Sequence, residues 1–248
     1  MSQVYYTVLM ERTIMGESFP GLMDIATQAG MLGYTRISMP YTRVDVARNR
    51  AVEMFRSKGD DPNDLLIMLD MDHMHAPDIL ERLDAPKLPV LAALAFRRGE
   101  PHDPQMYRHG PGGQLVQLSE WEEGPVRVDA FGAAALAIRR WVFDKLEAHG
   151  FSHPFFRFWY PKGNAGVFPS EDIFFGLLCE AAEIECYVDT RIECPHLTAA
   201  VVDSQTWKAY LADHPELKLE SQIIPEDMRE KVLGGHIHQV EEEEEVTA

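Results

Sequence analysis

The chain has 248 residues, 40 acidic against 23 basic side chains, a formal charge of −17 and 46% hydrophobic residues. That length buries a full core without a disulfide or metal staple, and so acidic a balance argues against nucleic acid as the main partner, because phosphate backbones are bound through excess Lys and Arg. The 3 cysteines, Cys179, Cys186 and Cys194, have no paired-ligand spacing and read as buried thiols. No apolar run approaches the roughly 18 residues of a membrane span, and Met1-Ser2-Gln3 does not begin a signal peptide, so a cytoplasmic location is expected.

Val4 to Met10 is rich in β-branched and aromatic residues and reads as a first strand, ending at Glu11-Arg12-Thr13. Phe19 to Leu32 reads as a helix closed by Gly33, and Thr35 to Met39 as a strand stopped by Pro40. Val44 to Ser57 reads as a helix with Val44, Ala47, Ala51, Met54 and Phe55 on one face. Arg43, Arg48 and Arg50 gather at its start, where backbone N–H groups already favour an anion, and Arg48 is the expected diphosphate contact.

Leu65 to Leu69 is an apolar run suited to a strand buried on both faces, and it stops at Asp70-Met71-Asp72. Side chains two apart leave an extended backbone on the same side, and two carboxylates without a cationic partner repel. An oxygen-binding divalent ion, Mn2+ or Mg2+, is therefore the expected third party. Taken alone, Asp-x-Asp is more often a solvated turn or helix cap. Here the helix expected over Pro77 to Leu83 completes a strand, acidic loop and helix, a unit whose loop lies at the ligand end of an open α/β sheet.

Leu88 to Phe96 is a further strand, followed by Arg97-Arg98. The Gly- and Pro-rich stretch from His102 to Gly124 predicts a loop with a small hairpin near Gln114 to Leu118 and a surface facing an acceptor. Val126 to Gly132, through Asp129, leads into the apolar Ala133 to Ile138, and the small residues Gly132 to Ala135 leave room for a ligand. Arg140 to His149 reads as a helix stopped at Gly150; Phe151 to Tyr160, with Trp159, is an aromatic stretch for either core packing or ring stacking. Lys162 to Gly166 is expected as a lid. Ser170 is the expected cap of a helix to Ala182 with Glu171 and Asp172 in its first turn, a pattern that capping alone would explain. Ile184 to Ile192 is the next strand, His196 follows it, and Thr206 to Leu211 is a short helix. The expected division is residues 1–200 as one domain, 201–235 as a helical extension and 236–248 as an acidic mobile tail.

Taken together, this order of strands and helices with Asp70-Met71-Asp72, Phe96-Arg97-Arg98, Ser170-Glu171-Asp172 and His196 resembles a GT-A type glycosyltransferase, over roughly Tyr6 to His196. The resemblance implies an α/β fold, a single GT-A-like (Rossmann-like) domain with a mixed central sheet flanked by helices. It implies metal-dependent, hexosyltransferase-like transfer of a sugar from a nucleoside-diphosphate sugar to a hydroxyl acceptor of unknown identity. It makes Asp72 a metal ligand, Asp70 a contact to the metal or the nucleotide ribose, and His196 the residue that completes the metal site. Glu171 and Asp172 become the catalytic pair, with Asp172 preferred as base; His73 and His75 leave a further imidazole ligand open. Arg12 and Thr13, in a loop at a strand end, join Arg48 as expected nucleotide contacts, and Arg97, Asp129, Gly132 and Trp159 are the expected donor and acceptor pocket.

Three alternatives stand beside this reading. A nucleotidyltransferase shares such a sheet. A haloacid-dehalogenase-like phosphatase also uses Asp-x-Asp, but near its start, and with Thr or Val where this chain has Met74. A non-catalytic nucleotide- or sugar-binding module would keep the ligands and transfer nothing. Donor base, sugar, stereochemical outcome and oligomeric state are not specified by the sequence.

Overall fold

In the computed structural model the described residues are 2–9, 16–159, 169–198 and 201–215. Strand β1 (Val4–Leu9) is followed by α1 (Phe19–Leu32), β2 (Thr35–Arg36), α2 (Val44–Arg56), β3 (Leu65–Asp70), α3 (Ile79–Asp84) and β4 (Val90–Leu94). Then come β5 (Met106–His109), β6 (Leu115–Gln117), β7 (Pro125–Val128), β8 (Ala130–Phe131), β9 (Ala135–Arg139) and α4 (Arg140–Ala148). The chain continues with α5 (Glu171–Ala181), β10 (Cys186–Glu193), β11 (His196–Leu197), β12 (Val201–Val202) and α6 (Ser204–Asp213).

The central sheet has 7 strands in the order β2-β1-β3-β9-β4-β10-β7. β1 runs parallel to β2 and β3, and β10 parallel to β4. β9 is antiparallel to both β3 and β4, and β7 antiparallel to β10. The sheet is therefore mixed, as expected. The reversal of β9 brings its N-terminal end, the small residues Ala133 to Ala135, beside the carboxyl end of β3, where Asp70 N–H donates to the Ala134 carbonyl at 2.8 Å. β5, β6 and β8 form a separate 3-stranded sheet.

Alternate residues of β3 feed two cores. Leu66 and Met68 join Ala47, Ala51 and Phe55 of α2, Phe143 of α4 and Phe174 of α5 on one face. Leu65, Ile67 and Leu69 join Ile25 and Ala29 of α1 and Ile79, Leu80 and Leu83 of α3 on the other. A strand covered on both faces needs no polar side chain until it leaves the sheet, which is why the apolar run ends at Asp70.

The element boundaries depart from expectation in two instructive places. β2 stops at Arg36: Ile37 N–H still donates to the Tyr6 carbonyl at 2.8 Å, but Pro40 has no N–H with which to extend the ladder. α3 begins at Ile79 instead of Pro77, because residues 76–79 form a turn closed by Ile79 N–H to the Ala76 carbonyl at 3.1 Å. The stretch before Gly132 forms two short strands, β7 paired with β10 and β8 paired with β5, so Asp129 lies at the change of sheet. The hairpin near residue 114 is present as β5 and β6. Trp207 of α6 is buried in the first of the two cores. The proposed lid at 162–166, the segment 216–235 and the acidic tail lie outside the described residues.

Candidate metal centre and its acidic neighbours

The chain that leaves β3 zips onto the chain that leaves β10. Leu197 N–H donates to the Asp72 carbonyl at 2.8 Å, Met74 N–H donates to the Pro195 carbonyl at 2.9 Å, and His73 and His196 form an isolated β-bridge. This pairing, between segments far apart in sequence, gathers the side chains of Asp72, His73 and His196. One carboxylate oxygen and two imidazole nitrogens lie within 4.8 Å of one another, a donor set able to hold a metal ion.

The two rings are stacked with centroids 4.1 Å apart. His196 Nδ1 is 3.1 Å from the Phe96 carbonyl, which can only accept, so the proton sits on Nδ1 and the Nε2 lone pair faces Asp72 Oδ2 at 3.2 Å. His73 is buried, which favours the neutral ring and lowers its pKa although Asp72 opposes this. Its Nδ1 is 2.9 Å from Asp72 Oδ1, and its buried Nε2 meets no hydrogen-bond partner among the described residues. A neutral imidazole that donates through one nitrogen and leaves the other lone pair buried and unpartnered suits a metal ligand. Burial pushes the Asp72 carboxyl up, but the His196 and His73 rings beside it outweigh burial and hold the group well below the usual carboxylate range.

Asp70 belongs to a different set. Arg48 is a fully enclosed guanidinium, 1% exposed, whose Nη2 donates to both Asp70 oxygens at 2.9 Å and to the Ala133 carbonyl at 3.1 Å. Its Nε donates to Glu171 at 3.2 Å. The expectation that Asp70 and Asp72 converge on one cation without a cationic side chain nearby is thus corrected. The carboxylates diverge, Asp70 toward Arg48 and Asp72 toward the two histidines and Arg98. Burial raises the Asp70 carboxyl to about 8 despite Arg48, helped by the negative charges of Asp72, Glu171 and Asp172. Glu171 is raised to about 7, first by burial and then by Asp172, again against Arg48.

Arg48, the expected diphosphate contact, is buried: its Nε and Nη2 are taken by Glu171, Asp70 and the Ala133 carbonyl, and its Nη1 meets no hydrogen-bond partner among the described residues. Arg43 and Arg50 instead line an outer cleft of about 650 Å³ with His153, Arg157 and Phe158. Ser170 stands at the N-cap of α5 as expected, but its side chain caps no backbone group; its hydroxyl donates to Asp172. Asp172 is half-buried, and accepts from Ala133 N–H at 3.1 Å and Ile173 N–H at 2.8 Å. His75 Nε2 donates to the Asp70 carbonyl at 2.6 Å and Cys194 Sγ is 3.4 Å from its Nδ1, so both ring nitrogens are engaged away from the Asp72 cluster.

The remaining expected residues scatter. Arg97 donates to Asp103 at 3.2 Å, and Asp129 accepts from His109 N–H at 2.8 Å. Trp159 packs against the core, as do the fully buried Phe155 and Phe156. At Gly132 a Cβ would stand 2.7 Å from the Gln105 Cβ, so the Gln105 side chain packs against the bare backbone there. Arg12 and Thr13 lie outside the described residues.

Arg98 was the residue sequence reasoning passed over in favour of Arg97. Its Nη2 donates to Asp72 Oδ2 and, at 2.9 Å, to His196 Nε2, with Nε 3.2 Å from the same nitrogen. The available signal was its place just past an apolar strand that ends at the same edge of the sheet as Asp70.

No protein-family model matches the sequence, and no curated protein matches it. Among solved structures, the chain is similar to a Drosophila β1,4-galactosyltransferase 7 mutant in complex with manganese, UDP-Gal and xylobiose, at 13% identity and a TM-score of 0.37. That match covers 77% of this chain and 66% of the galactosyltransferase, so the chain spans just under two thirds of its length. The chain is also similar to 4-diphosphocytidyl-2C-methyl-D-erythritol synthase from Anaerococcus prevotii, at 6% identity and a TM-score of 0.40, covering 86% of this chain and 99% of that one. At such identities and TM-scores neither likeness says what this chain does. Among the described residues no helix is long and apolar enough to cross a membrane.

Proposed function

We propose that this is a GT-A-like, metal-dependent glycosyltransferase that moves a sugar from a nucleoside-diphosphate sugar to an acceptor hydroxyl. The observation that carries the reading is the meeting of Asp72, His73 and His196 at the ligand end of the sheet, beside a separate acidic set anchored by Arg48. Two imidazoles and one carboxylate favour Mn2+ over Mg2+, which prefers oxygen ligands and keeps several waters. When bound, such an ion neutralises the charge that develops on a departing diphosphate.

The chain's own residues then divide the remaining work. Asp72 stays ionised, and the Phe96 carbonyl holds His196 in the tautomer whose Nε2 carries the lone pair a metal would take. Arg48 fixes Asp70 and Glu171, and through the Ala133 carbonyl ties them to the start of β9. Glu171 is locked in that buried pair, so the half-buried Asp172 is the better placed to accept the acceptor's proton. Arg12 and Thr13 are proposed to meet the nucleotide, and Arg97, Asp129 and Trp159 to bound the pocket.

The test is a thermal-shift screen of nucleoside diphosphates and nucleotide sugars, each with and without Mn2+, since a ligand bound only by the folded state raises its stability. A shift that needs both Mn2+ and one nucleotide supports the reading and names the base. Absence of any shift across the screen would overturn it.

A further inference from the structure

Two of the ligand atoms in the Asp72 cluster are capped by one side chain. Arg98 donates to Asp72 Oδ2 and to the Nε2 lone pair of His196, the atoms a divalent ion would need. The Arg98 side chain is 53% exposed, in contrast to the buried Arg48, and it sits in the turn 97–101 that follows β4. It is thus held by this one polar contact set while the rest of it faces solvent. A guanidinium and a divalent ion cannot occupy the same lone pairs together.

We infer that Arg98 is a tethered cation that competes with the metal ion for Asp72 and His196, and that it is released toward an anionic ligand of that ion. This rests on the metal site proposed above. The coupling follows from charge: metal entry expels the guanidinium from its carboxylate, and a diphosphate on the metal offers the released guanidinium a new planar, bidentate partner. Metal and diphosphate therefore bind with positive cooperativity, because each removes the cost the other would meet alone. Arg98 acts on the metal through its ligands and on the anion directly; it sets the order in which they assemble.

The experiment measures Mn2+ affinity by the electron paramagnetic resonance of free Mn2+, with and without inorganic pyrophosphate and at matched free Mn2+. The full chain is compared with Arg98→Gln, Arg98→Lys and Asp72→Asn. Arg98→Gln should bind Mn2+ alone about tenfold more tightly than the parent, and pyrophosphate should enhance binding far less than it does in the parent, since a coupling of this kind is typically about 5- to 150-fold. Arg98→Lys keeps a competing cation and should lie between them. Unchanged or weaker Mn2+ binding in Arg98→Gln, with Asp72→Asn still abolishing it, overturns the competition and leaves the metal site standing. If Asp72→Asn binds Mn2+ as the parent does, or no chain binds it, the metal site and the competition fall together.

Discussion

Replacing Arg48 by methionine is the sharpest test of the inner acidic set. The side chain is 1% exposed and holds Asp70 through two contacts of 2.9 Å and Glu171 through one of 3.2 Å, so its loss leaves Asp70 and Glu171 without their cation. Removing one member of a buried ion pair typically costs about 3–5 kcal/mol. With an m-value of about 2–3 kcal/mol per M urea, the midpoint should fall by about 1–2.5 M. The sign with pH is set by the raised carboxyls: the native state holds protons on Asp70 up to about 8 and on Glu171 up to about 7, whereas unfolded carboxylates release them near their ordinary values. Their contribution is therefore fully present at low pH and is lost as pH rises toward 8. Without Arg48 these carboxyls rise further, so the deficit of Arg48→Met should be largest at pH 8 and clearly smaller at pH 5. Adding Asp70→Asn should recover part of it. Urea unfolding at both pH values is the assay. A loss under about 1 kcal/mol, the scale of an exposed pair, or one independent of pH, refutes the account of Arg48 as the cation of a buried cluster.

Asp72→Asn should weaken Mn2+ binding by more than about a hundredfold, beyond the loss usual for a residue that merely orients a ligand, as read by calorimetric titration. Burial holds His75 neutral, down to about 4, even though the Asp70 carbonyl opposes the shift. Its contribution is present above the ordinary histidine range and is lost as pH falls toward 4, so His75→Asn should reduce acid destabilisation in that window, read by thermal melts at stepped pH. At Gly176 a Cβ would meet the Ala130 Cα and Asp129 carbonyl oxygen at 3.1 Å. Gly176→Val should therefore cost about 1–3 kcal/mol in urea unfolding by forcing α5 off β8.

Local pattern made the secondary structure readable where a segment's neighbours were uniform. The apolar run of β3 and the Gly33 stop of α1, which sits at φ 71°, needed no tertiary information. Register across the sheet was less accessible. That β9 runs backwards between β3 and β4 depends on pairings that no local periodicity encodes. The candidate site divides the same way. Asp70, Asp72, His196, Glu171 and Asp172 could be named from residue type and position at element ends. The separation of Asp70 from Asp72 could not, because it is decided by Arg48, which contacts Asp70 22 residues away and Glu171 123 residues away. A two-residue spacing says that side chains leave the same side of an extended backbone; Asp72 already lies beyond the end of β3, where that rule lapses.

The reversed strand β9 also has a consequence for synthesis. β3, among the most completely buried strands, pairs with β1 on one side and with β9 on the other, from Leu65 opposite Arg139 to Leu69 opposite Ala135. A ribosome that has released only about the first 130 residues exposes that apolar strand with one open edge, because β9 (Ala135–Arg139) has yet to emerge. Nascent chains of that length should bind a strand-capping chaperone, and those some 15 residues longer, past the exit tunnel, should not.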